Sequence, residues 1–171
     1  MPDALRILML NIEYPPLGGG AAPVTRGLSR ALVARGHSVD VVTMHRRGLE
    51  RAANDDGVRV IRVPTLRARA ELSHVHELAT YVVSAYLKSR TLAAETRYDV
   101  CHAHFVLPTG LVPLALGARP GFPPYVLTCH GSDLPGYNPD RFTLLHHLTP
   151  GLIRRVLRNA AGVVVPSAAL E

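Results

Sequence analysis

The sequence predicts a doubly wound α/β domain, a mainly parallel sheet with helices on both faces, and three observations carry that reading. Short apolar runs alternate with longer stretches at helical spacing. The first run, Leu5 to Ile12, holds six apolar residues among eight and reads as a strand buried on both sides, as parallel strands are. A triplet, Gly18-Gly19-Gly20, then turns the chain straight into a helical pattern. Strand, glycine loop and helix outline an anion site, because the free N–H groups of a helix start and the positive end of its dipole meet there.

Each element follows in order. Pro23 fits a first helical turn, and Leu28, Ala31, Leu32 and Arg35 keep helical spacing up to a stop at Gly36. Val39, Val41 and Val42 set a second strand over Ser38–Met44. That strand ends in Thr43-Met44, where a dinucleotide site would carry an Asp or Glu, and Pro23 replaces the third small residue of the fingerprint. NAD binding is therefore disfavoured. His45 to Gly57 reads as a polar, basic surface loop, and Val58–Val63 as a third strand closed by Pro64. The longest helical region runs from Arg67 to Glu95, flanked by Arg67, Arg69, Lys88 and Arg90. Those charges fit either a solvated face or peripheral contact with an anionic membrane. Tyr98–Phe105 is a fourth strand, followed by Leu107-Pro108-Thr109-Gly110 and a short apolar helix. A fifth, Tyr125–Cys129, ends in His130-Gly131-Ser132-Asp133. Asp140 to Asn159 reads as two helices split at Thr149-Pro150, and Gly162–Val165 as a sixth strand. Residues 1–166 form one domain on this reading, and 167–171 open a linker helix toward a second domain.

The composition narrows the function classes. Of 171 residues, 47% are hydrophobic and 19% charged, which suits a globular chain with a real core. The longest apolar stretch, Phe105 to Ala118, is broken by Pro108 and Pro113, so no membrane span is expected. Glu13 and the glycines interrupt any signal-like opening, and with only Cys101 and Cys129 the expectation is a reducing, cytoplasmic location with two free thiols. A net charge of +6 favours phosphates, nucleotides or anionic lipid over acidic-free partners, yet no nucleic-acid module is present. Neither a G-x-x-x-x-G-K-[ST] loop nor a G-x-S-x-G elbow occurs, against an ATPase or a serine hydrolase.

In a sheet of order 3-2-1-4-5-6, the loops after strands one, four and five ring one crevice at the switch point. They hold Gly18 to Gly20, His104 to Gly110, and His130 to Asp133. His102 and His104 share one strand face, and His104, nearer the strand end, is expected to face ligand. With Cys101, Cys129 and His130 they match no zinc spacing, so no metal is expected. His130 leaves a buried strand directly before Gly131, whose missing side chain leaves room for a ligand. Two readings stand for this turn: a ligand-facing His130, or a structural turn in which Asp133 caps backbone N–H groups.

Together these stretches resemble the N-terminal domain of a GT-B glycosyltransferase of the family-4 type (glycosyltransferase group 1). The resemblance lies in Pro15-Pro16 with Gly19-Gly20, in Leu28-x-x-x-Leu32-x-x-x-Gly36-His37-x-Val39, and in Asp99-Val-x-His102-Ala-His104 with Gly110. Thr128-x-His130-Gly131-x-Asp133 and Ala160-Ala161-Gly162-Val163-Val164-Val165-Pro166-Ser167 complete it. It implies one Rossmann-like half of a two-domain enzyme: a retaining, metal-independent transfer of a sugar from a nucleotide-diphosphate sugar to a sugar, lipid or small-molecule acceptor. No cofactor is implied; the nucleotide sugar is a substrate. Gly18, Gly19 and Gly20 would lie by the donor phosphates, His130 by the reacting carbon with Asp133 holding its loop, and His104 and Gly131 by the sugars. Ala22 and Gly162 depart from the family pattern, at a position often acidic or polar and at a common Asp. The fold would also suit a GT-B sugar epimerase or phosphorylase, or a non-catalytic nucleotide- or phosphate-binding domain.

Overall fold

The structure, a computed structural model, describes residues 3–71, 73–131 and 150–165. Seven strands form one sheet in the order β3-β4-β2-β1-β5-β6-β7. They are β1 (Arg6–Leu10), β2 (Ser38–Met44), β3 (Ala52–Asp55), β4 (Val58–Val63), β5 (Val100–His104), β6 (Tyr125–Thr128) and β7 (Gly162–Val164). All pairs are parallel except β3 with β4. Four helices are described: α1 (Ala21–Ala34), α2 (Val75–Glu95), α3 (Leu111–Leu116) and α4 (Pro150–Asn159).

The pleat sends alternate side chains to opposite layers. Ile7, Met9, Val39, Val41, Val58 and Val60 meet Leu28, Leu32 and Val33 of α1 on one face. Leu8, Leu10, Val42, Cys101, Ala103 and Leu127 belong to the other core, with Leu78, Tyr81 and Ala85 of α2, Val112 and Leu116 of α3, and Ile153 and Val156 of α4. Both cysteines are buried, and burial raises the Cys101 thiol far above its ordinary range. The predicted doubly wound order is thus the observed one, with an added edge strand.

That strand corrects the reading of His45 to Gly57 as a loop. Ala52-Ala53-Asn54-Asp55 has no alternating apolar pattern, and β3 exists because Asp56-Gly57 turns it back onto β4. Both turn residues have positive φ, 51° and 86°, as a two-residue hairpin of the mirror-image type requires. The long helix also starts later than the sequence suggests, at Val75 rather than Arg67. Its start is fixed by Glu77, whose carboxylate accepts from the N–H of His74 at 2.7 Å and of Ala68 at 2.8 Å. Burial alone would raise the Glu77 pKa, but those two donors together with the nearby His74 and His76 lower it and favour the ionised form. Arg67 and Arg69 consequently lie off the helix, which removes half of the basic flank read from the sequence.

Asp55, at the end of β3, ties this edge to α1 and to the chain leaving β1. Its carboxylate accepts from Tyr14 Oη at 2.7 Å and from Arg26 Nε at 2.8 Å, and also from Arg30. The Arg26 hydrogen bond is the largest cause that holds the Asp55 carboxyl well below the usual range, with Arg30 and Tyr14 adding to it against burial. A carboxyl lowered in the folded state stabilises fully above its unfolded pKa of about 4 and loses that stabilisation as pH falls toward the folded value. Asp55→Asn is therefore expected to lower the urea midpoint at pH 7, with the gap from the parent chain constant above about pH 5 and shrinking below about pH 4. A gap that does not change with pH would show that the charge of Asp55 plays no part.

Candidate active site

The carboxyl ends of β1, β5 and β6, neighbours in the sheet, deliver the three marked loops to one edge. After β1, Asn11 is fully buried and steers the turn: its Oδ1 accepts from Glu13 N–H at 3.0 Å, and its Nδ2 donates to Thr25 of α1. The chain then rounds a cis Pro15-Pro16 bond, with Leu17 N–H donating to Tyr14 O at 2.9 Å.

The three glycines do different work. Gly18 has φ +106°, and a Cβ there would lie 2.5 Å from Glu13 Cβ, so this position requires glycine. Its N–H donates to Ala70 O at 2.9 Å and is therefore not directed at a ligand. At Gly19 and Gly20 an added Cβ would meet no atom within 4 Å, so another molecule can approach the backbone. Gly20 is the N-cap of α1, without a side-chain cap, and the first turn carries no acidic residue. Glu13 supplies the missing anion: its Oε2 accepts from Gly19 N–H at 2.9 Å. The helix start is thus matched to negative charge, held at present by an internal carboxylate.

Two buried arginines hold this loop from behind. Arg67 is 4% exposed and donates to the carbonyls of Ile12 at 3.1 Å, Arg69 at 3.0 Å and Ala70 at 2.7 Å. Because Ala70 O accepts from both Arg67 and Gly18, the β4–α2 loop and the glycine loop form one unit. Burial lowers the Arg67 pKa, and the nearby charges of Glu13 and Glu77 offset this. Arg62 on β4 donates to Glu50 O and Pro15 O, each at 3.2 Å. The sequence reading placed Arg67 on a helix flank and gave Arg62 no role. A charged residue within or shortly after a β-branched strand is the one signal for them, and it is shared with many exposed strands and solvated loops.

On β5 and two residues past the end of β6, three imidazoles stand in a row. His102 and His104 stack with ring centroids 4.5 Å apart, and His104 and His130 at 5.2 Å. His102 Nε2 lies 2.7 Å from Thr128 Oγ1, and His104 Nδ1 lies 3.0 Å from His130 Nε2. Burial is the main cause that lowers His102 to a pKa of about 4, and burial likewise drives His104 far below its ordinary value. His104 is 0% exposed, so it stands behind His130 instead of facing a ligand as expected. Phe105, with φ +74°, leaves the sheet in a left-handed conformation and sets its ring 4.7 Å from that of His130. Gly131 follows at φ +89°; Asp133 lies outside the described residues. Among the described residues no three His, Cys, Asp or Glu side chains are arranged to hold a metal ion. A recess of about 620 Å³ between Ala93–Asp99 and Gly121–Pro124 sits where strands enter the sheet, away from these loops.

The profile of the Glycosyl transferase 4-like domain matches residues 19–171, from the glycine loop onward. The chain belongs to the glycosyl transferase 4-like family. An uncharacterized glycosyltransferase of Methanocaldococcus jannaschii is 36% identical over 103 residues, 58% of this chain and 25% of the relative. The fold resembles sucrose-phosphate synthase from Thermosynechococcus elongatus, with a TM-score of 0.69 at 19% identity, over 95% of this chain and 42% of that one. It also resembles α,α-trehalose 6-phosphate synthase from Burkholderia multivorans, with a TM-score of 0.52 at 17% identity, over 94% and 39% of the two chains. This glycosyl transferase 4-like domain thus spans about a quarter of its curated relative and about two fifths of those structures. Its architecture is half of a GT-B glycosyltransferase.

Within this glycosyltransferase domain, the division of labour among the glycines is open to direct test. Gly18→Ala is expected to destabilise by more than about 1 kcal/mol, since it adds a left-handed alanine and a clash with Glu13. Gly19→Ala is expected to stay within about 0.5 kcal/mol of the parent chain. Equal urea midpoints for the two variants would refute the distinction.

Proposed function

We propose that this chain forms the acceptor-side half of a retaining, metal-independent transfer of a sugar from a nucleotide-diphosphate donor to an acceptor hydroxyl. The observation that carries the reading is the meeting of an open-faced helix start at Gly19-Gly20 with His130 at the end of β6, on the same edge of the sheet. Family membership gives the donor class, a nucleotide sugar. Bond breaking at the sugar leaves negative charge on the diphosphate, and backbone N–H groups aimed at that charge lower the barrier without reorganising. The Gly19 N–H and the first turn of α1 are suited to that task once the Glu13 carboxylate yields its place. His130 is placed to hydrogen-bond the sugar, with Asp133 as the partner of its loop and Gly131 leaving room beside it. On this reading the β2–β3 and β4–α2 segments flank the acceptor side.

The nucleotide itself would be gripped by a second domain, so residues 1–171 alone are expected to give no turnover; measurable transfer by this chain alone would overturn that part. In the full-length gene product, assayed with a panel of UDP-, GDP- and ADP-sugars, His130→Ala is expected to lower transfer by about 10²-fold, and EDTA to leave it unchanged. Full activity of His130→Ala would remove the proposed site. Glu13→Gln withdraws the charge that competes at Gly19 and is expected to tighten pyrophosphate binding by calorimetry. Unchanged binding would mean that the anion sits elsewhere.

A further inference from the structure

His104 Nδ1 and His130 Nε2 are 3.0 Å apart, a separation that holds one proton. Two arrangements satisfy it. If His130 donates from Nε2, a neutral His104 must carry its own proton on Nε2. That nitrogen is buried and has no hydrogen-bond partner among the described residues, so an N–H would be stranded there. If His104 donates from Nδ1, only a lone pair remains at the buried Nε2. Stranded N–H groups are rarer in protein interiors than under-used acceptors, which favours the second arrangement. The full burial of His104 and the neighbouring imidazoles keep it neutral, as this arrangement requires.

We infer that His104 is a positioning residue, whose Nδ1–H donates to Nε2 of His130 and fixes His130 in the tautomer that carries its proton on Nδ1. The ring cannot turn away. His102, tied to Thr128, stacks on one side of it and His130 on the other. Phe105 in turn limits rotation of His130. The consequence is chemical: Nδ1 of His130 carries the proton and can only donate, while its Nε2 is engaged and is not a base. This consequence rests on the reading of His130 as a donor-sugar contact; the tautomer itself does not.

Long-range 1H–15N correlation on the 15N-labelled chain at neutral pH reads the tautomers directly. His104 and His130 are each expected to show a protonated-type Nδ1 and a bare Nε2. A protonated Nε2 on His130, or averaged nitrogen signals, would overturn the inference. His104→Asn keeps an N–H donor near the Nδ1 position and is expected to retain the His130 pattern, whereas His104→Phe keeps a ring without the donor and is expected to lose it. An unchanged His130 pattern in a folded His104→Phe would also overturn it, and if that variant does not fold, the parent spectrum decides. In the full-length gene product, titration with whichever UDP-, GDP- or ADP-sugar the parent binds separates the two claims, because unaltered binding by His130→Ala refutes the donor-sugar reading and leaves the tautomer result standing.

Discussion

Everything at the candidate site depends on the double pairing of β1. It runs parallel to β2 on one side and to β5 on the other, so successive connections leave in opposite directions and the ends of β1 and β5 are left uncovered between them. A ligand can reach backbone there without displacing a helix. The same pairing explains why β1 is buried on both faces, with Leu8, Met9 and Leu10 at 0% exposure. After the exposed Arg6 at its start the strand carries no polar side chain until it leaves the sheet, and Asn11, the first to follow, is at once put to use as the anchor of the turn.

The loops at this edge join the main core through Ile12, Leu17 and Val106, but apolar packing does not act alone. They are also held by buried polar groups that find their partners in backbone carbonyls and N–H groups: Asn11, Arg62, Arg67 and Glu77. Unmade, each such bond would leave a buried group unsatisfied at about 1–3 kcal/mol, so the network strongly favours a single loop geometry. Arg67 is the clearest case, since its guanidinium fills three carbonyl positions contributed by two loops. The electrostatic outcome is a helix start with no acidic residue of its own, faced by Glu13 from outside the helix.

Much of this was legible in the sequence, and the failures have physical reasons. The six apolar strands follow from local apolar spacing, which holds even for β7 with its exposed Val163 and Val164, and the order of their sheet follows from the alternation of strands with helices. β3 was missed because Ala52 to Asp55 is an edge segment held by a two-residue turn; the Asp56-Gly57 pair was its one local mark. The start of α2 was misplaced because its capping carboxylate, Glu77, is chosen by a contact with Ala68 that periodicity does not encode. The glycine triplet stands out in the sequence, but only the positive φ and the Glu13 contact separate Gly18, which serves the turn, from Gly19 and Gly20, which leave the face open.

The sequence by itself determined the layers: which segments are strands, that they run parallel, and that glycines and histidines gather where strands end. Those properties depend on apolar spacing and backbone freedom, which are carried by neighbours in the chain. The tertiary structure alone decided that His104 stands behind His130, that Arg67 is interior, and that Glu13 faces the first turn of α1. Each of these depends on hydrogen bonds between residues on different elements, such as His104 with His130 and Arg67 with Ile12, and no local pattern fixes which distant partner a polar side chain will meet.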